Sequence, residues 1–115
     1  MPQTTLNQTL TTIGINHQTA PVDVREQVAF PPDRLIQALK SLRESGLAQG
    51  SAILSTCNRS EIYLTHRHHD LAPVKAWLHD FFRLSQNTLT PYTYTYVGRD
   101  AVLHMNRVAA GLNSL

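Results

Sequence analysis

The 115-residue chain has a single cysteine, Cys57. One thiol excludes an internal disulfide and fits a reducing, cytoplasmic setting. Long apolar runs are missing too. None approaches the roughly 20 residues that a membrane helix needs, so no membrane partner is expected. The start, Met1-Pro2-Gln3-Thr4-Thr5, lacks the basic and apolar segments of a secretory signal. Glycine is scarce: Gly14, Gly46, Gly50, Gly98 and Gly111 form no phosphate-cradling or dinucleotide-binding pattern. No cofactor-binding residues are therefore expected in this chain. His66, His68 and His69 invite a zinc reading, but no matching ligand cluster lies elsewhere, so the expectation is a solvated loop and no metal site. Charged residues make up 16% and the net charge is +2, which permits an RNA or phosphate partner without requiring one. There is no internal repeat or low-complexity tract.

The 42% of apolar residues suffices for one domain with one core. Residues 1–9 read as a flexible N-terminus and 10–115 as the domain. Leu10–Ile15 is β-rich and predicts the first strand, followed by an ordered loop over Asn16–Pro21. Pro31-Pro32-Asp33 reads as a helix start. Leu35, Ile36, Leu39 and Leu42 continue it as an apolar face, and Gly46 is a stop. Two short β-like runs, Ala52–Leu54 and Ile62–Thr65, flank Cys57. Val74, Trp77, Leu78 and Phe81 mark a second helix with Pro73 in its first turn. Tyr92, Tyr94 and Tyr96 alternate with Thr93 and Thr95, which places three tyrosines on one side of a strand. Asp100 opens a last helix with Ala101, Met105, Val108 and Leu112 on one stripe. The expected fold is α+β: a ferredoxin-like split β-α-β sandwich with an antiparallel sheet and an additional C-terminal helix.

Cys57 sits in Ser55-Thr56-Cys57-Asn58-Arg59-Ser60-Glu61, at the turn between two strands. Such a turn holds a reactive group rigidly yet within reach of solvent. A neighbouring cation, Arg59, favours the nucleophilic thiolate, and its guanidinium can hold a carboxylate by a fork of hydrogen bonds. The local pattern alone leaves open an inert core thiol and a solvated arginine. His104 falls about 60° from the centre of the last helix's apolar stripe. It can act as acid or base there, or be a packed boundary histidine. The tyrosines can stack bases or be half-buried sheet residues.

Three segments together resemble one family: Gly14–Pro21 (GINHQTAP), Leu54–Tyr63 (LSTCNRSEIY) and Ala101–Leu115 (AVLHMNRVAAGLNSL). They look like the N-terminal catalytic domain of glutamyl-tRNA reductase. The resemblance implies that Cys57 attacks the glutamyl ester of glutamyl-tRNA to form a thioester. In the full-length enzyme NADPH then reduces that thioester to glutamate-1-semialdehyde, the first step of tetrapyrrole (haem, porphyrin) biosynthesis. It implies glutamate recognition by Thr56, Asn58 and Arg59 with Ser114, and an activity-critical role for His104. It further implies a homodimer through a domain absent from this chain, and glutamate-1-semialdehyde aminomutase as a partner. Asn113 and Asn106 depart from the family's usual aspartate and apolar or aromatic residue. NADPH-binding and dimerisation domains are absent, so the chain reads as part of a longer protein and should lack reductase activity alone. The competing reading is a non-catalytic tRNA- or protein-binding module, or one through which haem or proteolysis regulates the enzyme.

Overall fold

The computed structural model describes residues 8–85 and 87–111. Strand β1 (Thr9–Asn16) is followed by a short helix α1 (Val22–Gln27) and the longer α2 (Pro32–Glu44). The hairpin β2 (Gly50–Ser55) and β3 (Arg59–His66) leads to α3 (Ala72–Phe81). A single 3₁₀ turn (Thr90–Tyr92), β4 (Tyr94–Val97) and α4 (Arg99–Ala109) complete the order. The four strands are ordered β2-β3-β1-β4, and every neighbouring pair is antiparallel. Helix α2 carries the chain from β1 across to β2, and α3 carries it from β3 to β4. This is the expected split β-α-β sandwich with an extra C-terminal helix.

The period-two pleat gives the sheet two chemically different faces. One face presents Ile13, Ile15, Ile62 and Leu64, which join Ala38 and Leu42 of α2 and Val74 and Leu78 of α3 in the hydrophobic core. Register pairs place Asn16 opposite Arg59, Gly14 opposite Glu61 and Tyr94, and Thr12 opposite Tyr63 and Tyr96 on the other face. Helix α4 lies over that polar face, burying Ala101, His104 and Val108.

Several expectations shift. Helix α1 was not foreseen: it is only six residues long and buries none of them, so it leaves no apolar stripe to read. Ile36 is not on the core face of α2; it is 71% exposed, because Ala38 and Leu42 take the buried positions. Tyr92 belongs to the 3₁₀ turn, since Pro91 just ahead of it cannot donate to a ladder, and only Tyr94 and Tyr96 share the strand face. On α4, Met105 is exposed and His104 is buried, the reverse of the expected stripe. The surface beneath α4 is polar, so the side chain that can hydrogen-bond takes the central position.

His66 also departs from the solvated loop. It ends β3 and is 2% exposed. Its Nδ1 lies 2.8 Å from the His68 carbonyl and its Nε2 lies 2.6 Å from Thr11 Oγ1. The carbonyl can only accept, so Nδ1 carries the proton and the Thr11 hydroxyl donates to Nε2. Burial is the main cause that lowers the His66 pKa from 6.5. A buried base held neutral costs stability when it must charge. The unfolded chain then binds the extra proton, so stability should fall as pH drops below about 6.5. Thermal melts between about pH 7.5 and 5.5 should show that slope, and His66→Gln should flatten it.

Candidate active site

The β2–β3 connection is a tight turn built by its own side chains. Thr56 N–H donates to the Arg59 carbonyl at 2.8 Å. Thr56 Oγ1 accepts from the Asn58 and Arg59 amides at 3.2 Å each. A hydroxyl that caps two amides in this way closes the turn without glycine. Cys57 stands at its tip, exposed. The turn is braced from outside by Arg25 of α1, whose Nε donates to the Cys57 carbonyl at 3.3 Å and whose NH1 donates to the Ala20 carbonyl at 2.7 Å. The loop after β1 is itself closed by Asn16, whose Oδ1 accepts from Gln18 and Thr19 amides at 2.9 and 3.1 Å. Two motif loops and α1 thus meet at one end of the sheet.

Behind the turn, Arg59 heads β3 and points onto the polar face. It is 1% exposed, so it is no solvated turn arginine. Its NH1 lies 3.0 Å from Glu61 Oε2. Glu61, 0% exposed, is the hub of the cluster. Tyr63 O–H donates to Oε1, and Tyr94 O–H and His104 Nε2 donate to Oε2, the last at 2.5 Å. The ring of His104 stacks on Tyr96 with centroids 4.6 Å apart and meets Tyr94 edge-on at 5.6 Å. Burial alone would raise the Glu61 pKa. Hydrogen bonds from Tyr63, Tyr94 and His104, with the charge of His104, outweigh it and hold the carboxyl below its ordinary 4.5. Burial first, then the bond to Glu61, pushes the hydroxyls of Tyr63 and Tyr94 well up, so both remain protonated donors.

Gly14 makes the hub possible. A Cβ there would sit 2.7 Å from the Ser60 carbonyl oxygen and 2.8 Å from Glu61 Cγ. The strand passes Glu61 without a side chain, and the carboxylate occupies the space.

The structure therefore brings Arg59 and His104 together through Glu61. Cys57, Thr56 and Asn58 form the adjoining turn. Among the described residues the Cys57 thiol makes no hydrogen bond, to His104 included. Ser114 lies outside the described residues, as do Leu112 and Asn113. Sequence reasoning quoted Glu61 and Tyr63 within a motif but gave them no role. The signal was there: Arg59, Glu61 and Tyr63 alternate with Ser60, Ile62 and Leu64, which puts three polar groups on one strand face. Arg25 had no comparable signal, because its helix is not legible in the pattern.

The family model "Glutamyl-tRNAGlu reductase, N-terminal domain" matches residues 13–115. The chain belongs to this family. It is 47% identical over 106 residues to a glutamyl-tRNA reductase of Hydrogenovibrio crunogenus, covering 92% of this chain and 24% of that protein. A Pseudomonas putida glutamyl-tRNA reductase is 50% identical over 103 residues, covering 90% and 24%. The solved glutamyl-tRNA reductase of Methanopyrus kandleri superposes with a TM-score of 0.66 at 30% identity, over 92% of this chain and 23% of that one. The chain thus spans about a quarter of the length of the curated relatives it matches. Among the described residues of this reductase N-terminal domain, no helix is long and apolar enough to cross a membrane.

Proposed function

We propose that this domain captures the glutamyl group of glutamyl-tRNA on Cys57, as the catalytic part of a longer oxidoreductase that opens tetrapyrrole synthesis. The observation that carries the reading is an exposed thiol on a turn locked by Thr56 and Arg25, next to a buried Arg59–Glu61–His104 cluster. The Cys57 sulfur, as thiolate, bonds to the ester carbonyl carbon. The C–O bond to the terminal ribose breaks, and the ribose oxygen leaves with a proton, giving a glutamyl thioester and free tRNA. Arg59 is the cation for the glutamate side-chain carboxylate. Thr56 and Asn58 border the same turn, and Ser114 is proposed to complete the recognition.

NADPH is the reductant this family implies for making glutamate-1-semialdehyde. The described residues do not fit it. Their one strand–glycine–helix junction, Val97-Gly98-Arg99, follows an edge strand of an antiparallel sheet and has Asp100 in the first helical turn, where it would repel a pyrophosphate. Reduction, the homodimer and contact with glutamate-1-semialdehyde aminomutase are assigned to the longer, cytoplasmic protein.

The test is to incubate the chain with glutamyl-tRNA carrying labelled glutamate, quench in acid and look for a thioester-linked adduct. Label is expected on wild type and fully lost in Cys57→Ala. Label that persists in Cys57→Ala would overturn the assignment of the nucleophile. Wild type that holds tRNA without acquiring label would make this a binding module.

A further inference from the structure

The Glu61 carboxylate has four hydrogen-bond donors around it: Tyr63 O–H, Tyr94 O–H, Arg59 NH1 and His104 Nε2. An ionised carboxylate is acceptor-only and offers about four lone-pair sites. The permanent charge of Arg59, 3.0 Å from Oε2, and the hydroxyls of Tyr63 and Tyr94 favour the ionised form, whose pKa is held below 4.5. Glu61 is therefore ionised, and His104 must present a proton to it from Nε2. A neutral imidazole carries one proton, so its lone pair is on Nδ1. Among the described residues nothing hydrogen-bonds Nδ1. His104 lines a cleft of about 290 Å³ together with Asn16, Gln18, Tyr96, Asp100 and Arg107.

We propose that Glu61 is a positioning residue that fixes His104 as the Nε2–H tautomer, leaving Nδ1 as the proton-accepting nitrogen of that cleft. A proton taken from an acid in the cleft goes to Nδ1. The imidazolium then formed is balanced by the Glu61 carboxylate across the Nε2–H bond, which lowers the cost of the charge. Tyr96 stacks on the ring and Tyr94 meets its edge, so the plane is fixed as well. The groups that can bias the titration are Glu61, Tyr63, Arg59, Tyr94 and Tyr96 from the sheet and Asp100 and Arg107 from α4 itself. Strand β1 contributes no charge there, since it presents Thr12, Gly14 and Asn16. The inference deepens the thioester reading by naming the atom through which His104 would move a proton in that chemistry.

Ring ¹⁵N NMR of the chain tests it directly. Neutral His104 is expected with Nε2 protonated and Nδ1 bare, and titration should add the second proton at Nδ1. Glu61→Gln keeps the size of the side chain and removes its charge. Its amide can accept from Nε2 or donate to it, so an Nδ1–H population of His104 should appear and thioester formation should slow. Asp100→Asn, one turn away on the exposed side, should move both less. An Nδ1–H tautomer in wild type overturns the proposal, as does a tautomer balance unmoved in Glu61→Gln. If Glu61→Gln does not fold, the wild-type tautomer decides. A wild-type chain that forms no adduct but shows the Nε2–H tautomer would refute the thioester reading and leave the Glu61–His104 assignment standing.

Discussion

Glu61→Ala is expected to destabilise the domain by about 3–5 kcal/mol, the usual cost of removing one partner from a buried ion pair. The pair with Arg59 is 3.0 Å long between side chains that are 1% and 0% exposed, so water cannot replace the lost carboxylate. Three further donors, on Tyr63, Tyr94 and His104, lose their acceptor in the same substitution. For a domain near this size each kcal/mol moves Tm by about 4–8 °C, so the variant should melt tens of degrees lower or fail to fold. Tyr94→Phe removes one donor and leaves the carboxylate paired, and should cost only about 1 kcal/mol. Calorimetry of both variants gives the comparison. Equal losses would mean that Glu61 is not the hub that its hydrogen bonds describe. Acid should mimic the large effect. The folded-state pKa of Glu61 is depressed, so its contribution is present above the unfolded value of 4.5 and is lost as pH falls through the folded value.

The fold was legible where a period or a β-rich run dominated. Val74, Trp77, Leu78 and Phe81 marked α3, and the β-rich runs Leu10–Ile15 and Ile62–Thr65 marked β1 and β3. The exposed turn that carries Cys57 was legible from its neighbours, because Thr56 and Asn58 are turn residues and the thiol lacks apolar flanks. The stripe of α4 was misplaced because apolar periodicity reports burial against hydrocarbon, and α4 packs on a polar face. His104 was placed at the edge of a stripe because Met105 was assumed to be inside it. Once Arg59, Glu61, Tyr63, Tyr94 and Tyr96 occupy the sheet beneath α4, a histidine is the residue that can satisfy a carboxylate there, and Met105 is turned to solvent. Arg25 escaped for a different reason. Its contact with the Cys57 carbonyl spans 32 residues and comes from a helix too short and too exposed to show in the pattern.

Gly14→Ala is the second large effect. It separates the chemistry of the cluster from its mere presence. The added Cβ would meet the Ser60 backbone oxygen at 2.7 Å and Glu61 Cγ at 2.8 Å, both closer than real Cβ contacts. The backbone oxygen belongs to the β1–β3 ladder, so it cannot swing away like the end of a flexible side chain. Either the strands separate locally or Glu61 tilts, and overpacking of this kind costs about 1–3 kcal/mol. Gly14 is already in extended backbone in mid-strand, so alanine brings no φ penalty to blur the result. A tilt of Glu61 loosens its hold on Arg59 and His104 together, because both bind the same oxygen, Oε2. Gly14→Ala should therefore melt below wild type yet fold, and it should form the Cys57 adduct at least tenfold more slowly, about 1.4 kcal/mol in the barrier. Its Cys57 should still alkylate at the wild-type rate, since the turn that holds the thiol is closed by Thr56 and Arg25 and not by Gly14. Adduct formation at the wild-type rate in a destabilised Gly14→Ala would show that the cluster stabilises the fold without serving the reaction.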